Sequence, residues 1–267
     1  AINALDEAWV VNQQSKEASI ESGVNKPIKI VPHATDISRF NQSYKPHSFR
    51  EKLEDRFIFY TIGEINRRKN LNSLLKAFHL EFHVDEPVEL LIKTTPVGIR
   101  GTESVEKLCF DIKNNLRIYK EATSYKKEIL IADYWNSEDI LRLHASCDCF
   151  VLPSYGEAWA IPAFDAMAMG KTPIVTDCTG FRDYLSNDSG WLIPATKEPV
   201  FGATDTNSEL FTGRESWWNI EIEALQKAMR EAYENHQLRK EKAKIGRRRA
   251  YDFSYEKIGS LMKENLN

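Results

Sequence analysis

The 267-residue sequence has no apolar run near the roughly 20 residues that a membrane-spanning helix needs. Its start does not read as a secretion signal either. Cysteine is sparse: Cys109, Cys147, Cys149 and Cys178 are the full set, and none form a Cys-x-x-Cys pair. A zinc site or disulfide framework is therefore disfavoured, and buried reduced thiols are expected. Basic charge is not in excess. The formal net charge is -3 and the pI near 6.1, so nothing draws the chain towards nucleic acid. No Gly-x-Gly-x-x-Gly follows a strand, which disfavours a dinucleotide dehydrogenase, and neither a P-loop Lys-Ser/Thr nor a nucleophile-elbow Ser is present. There is no Asp-x-Asp cluster to hold a metal; Cys147–Asp148–Cys149 reads as core.

What is present is an α/β pattern, with 42% hydrophobic residues to build a core. Phe57–Ile62, Val88–Lys93, Ile129–Ala132, Cys149–Leu152, Lys171–Thr176 and Gly190–Pro194 are apolar runs too short for helices. Between them lie stretches with 3.6-residue periodicity, such as Leu71, Leu74, Leu75, Phe78 and Phe82, or residues 103–120 on Val105, Leu108 and Ile112. Apolar strands alternating with helices predict a Rossmann-like, doubly wound parallel sheet covered on both faces. Before it, Ala8–Val11 and Ile28–Val31 are strand-like around a helix that starts near Ser15 and ends at Gly23. Residues 37–56 and 195–217 read as polar surface loops, and Trp217–Trp218 introduce a helix on Ile222, Leu225 and Met229. The run Arg247–Arg248–Arg249 reads as a solvated helix face, with an anionic membrane surface as the alternative. His79 and His83 are one turn apart without a third ligand and read as helix surface.

Residues 147–185 concentrate the chemistry. A strand ends at Pro153, the loop Ser154–Glu157 follows, and Pro162 suits the first turn of a helix that Gly170 ends. Open α/β sheets bind ligands outside the carboxyl ends of their strands, where helix N-termini face them. Glu157 and the first N–H groups of that helix lie at this edge. Taken alone, Glu157 is a capping acid and Asp165 a surface acid. The turn Gly63–Asn70 after another strand carries Arg67, Arg68 and Lys69; cations there are solvated, or meet a diphosphate that the glycine lets approach. Tyr134 and Trp135 follow the 129–132 strand, before a helix that Ser137 caps, as rim or core aromatics.

In this order, these segments resemble the retaining GT-B glycosyltransferases of family 4 (glycosyl transferases group 1). Pro32–His33–Ala34–Thr35–Asp36 stands where that family has PHG[VI]D, and Gly63 to Asn70 matches its G….RKN block. Glu157 and Asp165, with seven residues between them, match its two acids; Ala158–Pro162 replaces GFGLP, and Ala166–Gly170 matches the tail. Thr179–Gly180–Phe181–Arg182–Asp183 matches its GG..E loop. Three residues depart from the pattern: Asp165 for Glu, Ala160 for Gly, and Glu64 where many relatives have Arg, leaving that contact absent or supplied by Arg67.

The resemblance implies one half of a GT-B fold, with residues 1–26 the end of the preceding half or its linker and 27–267 the donor-binding domain. It implies transfer of a hexose-type sugar, with retention, from a nucleotide-diphosphate sugar to a saccharide or lipid-linked acceptor. Glu157 would be the catalytic residue, lying near the donor sugar to orient it or stabilise positive charge at the anomeric carbon. Arg68 and Lys69 would neutralise the phosphates, beside Gly63 and the helix mouth at Ala160 and Ile161. Asp165 would hold the ribose hydroxyls, Tyr134 would lie near the base, and Thr179 and Gly180 would offer backbone N–H groups to the sugar phosphate. No metal or other cofactor is implied. The expected partners are the nucleotide sugar and an N-terminal acceptor-binding domain, without which the half is inactive. The chain opens on Ala1, as a fragment or processed chain would. The implied setting is cytoplasmic, peripheral at the inner membrane face, in envelope polysaccharide assembly. The alternative is a GT-B half that binds a nucleotide sugar and catalyses nothing; an epimerase fits the blocks less well.

Overall fold

The computed structural model describes residues 2–95, 102–200 and 215–266. Six parallel strands form the main sheet: β3 (Phe57–Ile62), β4 (Val88–Lys93), β5 (Ile129–Ile131), β6 (Cys149–Leu152), β7 (Ile174–Thr176) and β8 (Trp191–Ile193). Their spatial order is β5-β4-β3-β6-β7-β8. The chain thus steps outward from β3 to β5, returns to lay β6 beside β3, and steps outward the other way. That reversal makes a topological switch point between β3 and β6, the place where a doubly wound sheet opens a ligand crevice.

Both faces of the sheet are buried, and the period of two sorts the side chains. Ile58, Tyr60, Phe150 and Val175 join one apolar cluster, while Phe59, Leu90, Ile92, Val151 and Ile174 join the other. Helices α2 (Leu71–Glu81), α3 (Glu103–Leu116) and α7 (Ile222–Glu234) supply residues to the second cluster. Helices α4 (Ser137–Ser146), α5 (Ile161–Ala168) and α6 (Phe181–Tyr184) supply the first. Helix α8 (His236–Ala250) packs on α5, and α9 (Tyr255–Leu266) ends the chain. The doubly wound sheet expected from the pattern is the one observed. All four cysteines are buried and free. No helix among the described residues is long and apolar enough to cross a membrane.

Several local expectations need correction. Helix α1 (Gln13–Glu21) joins β1 (Ala8–Val10) to β2 (Ile28–Ile30), and the two strands pair in parallel, so the division expected after residue 26 runs through a β-α-β unit. Residues 37–56 are not all loop: Ile37–Asn41 and Ser48–Leu53 are 3-10 turns, and Phe40 enters the core. Asn136, not Ser137, caps α4, its side chain accepting from the Asp139 N–H. The segment read as a surface loop over 195–217 holds two strands, β9 (Ala195–Pro199) and β10 (Ser216–Ile220), paired antiparallel, and Trp217 and Trp218 belong to β10 rather than to a helix start. The part of that loop over 201–214 lies outside the described residues, as does 96–101 of the loop that the sequence predicts over Thr94–Gly101. His79 is buried rather than on the helix surface, because Glu128 takes its Nε2 at 2.5 Å and Lys113 Nζ at 2.6 Å.

Candidate functional site

The two loops at the switch point are built to meet. After β3, Asn66 caps the 3-10 turn Arg67–Lys69, and Asn70 then takes a left-handed conformation (φ 53°) that starts α2. A small amide side chain tolerates that region best after glycine. Asn70 also reaches over to the other loop, its Nδ2 donating to the Pro153 carbonyl at 3.0 Å. The Tyr155 N–H donates to the Arg68 carbonyl at 2.9 Å, so the β3 and β6 loops are tied by backbone as well. The Lys69 side chain runs beside Gly63, where a Cβ would be in ordinary contact with Lys69 Cε at 3.4 Å.

The result is a convergence of charge. Arg68 Nη1 and Lys69 Nζ each lie 2.7 Å from the same Glu157 oxygen, Oε1. Arg68 Nη1 also donates to the Gly156 carbonyl at 2.7 Å. Three side chains expected at the site from sequence are therefore brought together, with the Glu157 side chain 7% exposed and that of Arg68 40% exposed. They border a cleft of about 1320 Å³ that runs along the carboxyl edge.

Backbone clamps fix the Glu157 turn. Its N–H donates to Thr179 Oγ1 and its carbonyl accepts from the Gly180 N–H, both at 3.0 Å. Thr179 holds a left-handed φ of 44° where the family resemblance expects glycine. Its side chain, not only its backbone, faces the turn. Gly180 does not border the cleft, and its N–H is already spent on Glu157, so the expectation that this group meets a sugar phosphate does not fit the geometry. Ala160, at the mouth of α5, also adopts a left-handed conformation (φ 60°, ψ 68°). A Cβ costs about 1 kcal/mol there, which explains why glycine is the more common choice. Helix α5 has no side-chain cap, and Ile161 is 56% exposed at its first turn, so the positive end of the helix faces the cleft.

Asp165 is not the surface acid that its sequence alone suggests, nor does it border the cleft. It is 9% exposed, and among the described residues its carboxylate makes no hydrogen bond or ion pair. Burial pushes its pKa up to about 6, against a weaker downward pull from Arg39. The consequence for stability has a definite sign. Unfolded Asp titrates near 3.9, so the folded state holds a proton that the unfolded chain releases, and folding weakens as pH rises from about 4 through 6. The loss is about 3 kcal/mol for a shift of that size. Asp165→Asn is expected to lose this dependence, so thermal unfolding of both proteins from pH 4 to pH 7.5 should show the variant gaining on the parent as pH rises. A constant gap would mean that Asp165 is not buried as the structure shows.

Tyr134 is not brought to the cleft: its side chain is 79% exposed at the end of β5. Its neighbour Trp135 is already stacked, with the His47 ring at 4.4 Å and Lys93 Nζ 5.2 Å from its centroid. Arg67 lies over Trp217, 5.3 Å from the ring centroid. Sequence reasoning missed three groups that border the cleft: Asn12 from the start of α1, His33, and the β9–β10 ribbon through Lys197 and Trp218. Only the aromatic pair Trp217–Trp218 in a polar stretch hinted at the ribbon.

Comparison with known proteins adds independent findings. The family model for glycosyl transferases group 1 matches residues 45–204, which include both switch-point loops. The serotype-specific mannosyltransferase WbdA of Escherichia coli is 23% identical over 180 residues, 65% of this chain and 19% of that protein. Anabaena Alr3699/HepE, solved in complex with UDP and glucose, superposes with a TM-score of 0.73 at 15% identity, covering 98% of this chain and 63% of that one. Sucrose-phosphate synthase from Thermosynechococcus elongatus gives 0.69 at 18% identity, with 99% and 58% covered. The chain spans about a fifth of the length of the Escherichia coli relative. At these identities the solved structures speak for the fold alone.

Proposed function

Since the chain belongs to the glycosyl transferases group 1 family, we propose that it is the donor-binding half of a retaining enzyme that moves a hexose-type sugar from a nucleotide-diphosphate sugar to a saccharide or lipid-linked acceptor. The observation that carries this reading is the meeting of Arg68, Lys69 and Glu157 at the uncapped mouth of α5, on the switch point of the sheet. A diphosphate placed there faces the positive helix end and two cations. Those groups count most when the bond to the sugar breaks, because the leaving diphosphate then gains charge. The reading needs no metal for that purpose. In this reading Asp165, on the same helix but not among the residues that border the cleft, would accept from the ribose hydroxyls. Glu157 would turn to the donor sugar and stabilise positive charge at its anomeric carbon.

The fold neighbour HepE binds UDP and glucose, and the Escherichia coli relative is a mannosyltransferase; both favour a nucleotide sugar as the ligand class. The acceptor would be bound by a preceding half, so the present chain alone would bind donor without transferring it. Titration of the 267-residue protein with UDP, GDP and ADP tests this directly. One of them should bind in the micromolar to millimolar range, about -8 to -4 kcal/mol. Lys69→Ala should weaken that binding about tenfold or more through loss of a charge-assisted contact. Failure of all three nucleotides to bind, or equal binding by the variant, would overturn the assignment.

A further inference from the structure

We propose that Asn12 is a positioning residue for the Glu157 turn, set into the site from the β1–α1–β2 unit; its nucleotide readout rests on the donor-site reading above. Asn12 is fully buried and uses both ends of its amide. Its Oδ1 accepts from the Ser15 N–H at 2.7 Å and so caps α1. Its Nδ2 donates to the carbonyl of Ala158, 146 residues away and next to Glu157. That carbonyl is seated in a notch: a Cβ on Gly180 would fall 2.6 Å from the Ala158 carbonyl carbon and 2.9 Å from Asn12 Nδ2. Ala158 is thus held between a side chain of one unit and a glycine of the other, while its neighbour Glu157 is held by Thr179 and Gly180. A second contact joins the same two units, the Gln13 N–H to Asp183 Oδ1 at 3.3 Å.

A cap alone would not need an amide, since serine and aspartate cap helices equally well. Only the donor half of the amide reaches the Ala158 carbonyl, and the Asn12 side chain that makes this bond is itself fully buried, so losing the donor removes a fixed tie between the two units. Removing that donor should loosen residues 156–161, and with them the carboxylate of Glu157 and the mouth of α5.

Asn12→Ser separates the two roles, because it keeps a capping oxygen and cannot span to Ala158. In the full chain, amide hydrogen exchange should stay slow in α1 but quicken across 156–161, and affinity for whichever of UDP, GDP or ADP the parent binds should fall about tenfold. Asn12→Asp, which caps but sets a carboxylate against the carbonyl, should do the same and serves if the serine variant does not fold. Unchanged exchange in 156–161 would overturn the proposal, as would equal loss of protection in α1, which marks a cap and nothing more. A parent that binds no nucleotide would count against the donor site, while the exchange data would still decide the role of Asn12.

Discussion

Glutamine at position 157 is expected to cost the full-length enzyme about two to three orders of magnitude in sugar transfer, yet to tighten the hold on a free nucleoside diphosphate about fivefold. The opposite signs follow from one carboxylate oxygen. Glu157 Oε1 takes both Arg68 and Lys69 at 2.7 Å, so a diphosphate has to compete with an internal anion for the same two cations. Glutamine keeps the shape and removes the charge. The gain is held to about 1 kcal/mol because Arg68 is 40% exposed and solvent screens its share. It should shrink further as salt is added. On the proposed reading transfer would suffer because the carboxylate displaced by the donor would be the group that faces the anomeric carbon. Calorimetric titration of the variant and steady-state transfer by the full-length parent carrying the same change read the two halves. A variant that merely damaged the loop would weaken both; weaker diphosphate binding would rule out competition, and intact transfer would rule out catalysis by Glu157.

The parts of this fold that sequence made legible are those with a strong period. Strands such as Phe57–Ile62 and Cys149–Leu152 are buried on both faces, and their apolar runs are hard to mistake. Helix α2 was legible from Leu71, Leu74, Leu75 and Phe78, all of which are buried. Ribbon β9–β10 has no such signal, because its face is polar and only Trp217 and Ile220 are buried in β10. At the cleft, residue type and family pattern together pointed to Glu157, Arg68 and Lys69, which the structure brings together. The partners that hold them did not stand out. Asn12 resembles any helix cap until its other end is seen on Ala158, and Thr179 works through a side chain at a position where the pattern asks for a backbone. Tyr134 was drawn in by its place after β5, but a side chain at the end of a strand can face solvent as readily as a cleft.

That distinction between placing and holding gives the Gly180→Ala variant its expected severity. The added methyl would overlap the Ala158 carbonyl oxygen and approach its carbon to 2.6 Å, and both are backbone atoms that no rotamer change can move. Gly180 itself has an ordinary φ of -63°, so the cost is one of space and not of conformation. Relief requires the Glu157 turn to lift off, which breaks the Gly180 N–H bond to the Glu157 carbonyl and the seat of Ala158 on Asn12. Overpacking of this kind costs about 3 kcal/mol, or roughly 6–12 °C in a chain of this size. Gly156→Ala is the control. It lies one residue from Glu157, has no left-handed φ, and meets nothing nearer than Thr179 Cγ2 at 4.0 Å. It should stay within about 0.5 kcal/mol of the parent. Thermal unfolding together with nucleotide titration compares the two methyl groups. If proximity to Glu157 were what mattered, both alanines would cost alike; if the notch matters, only the one at 180 lowers the melting point and releases the diphosphate site.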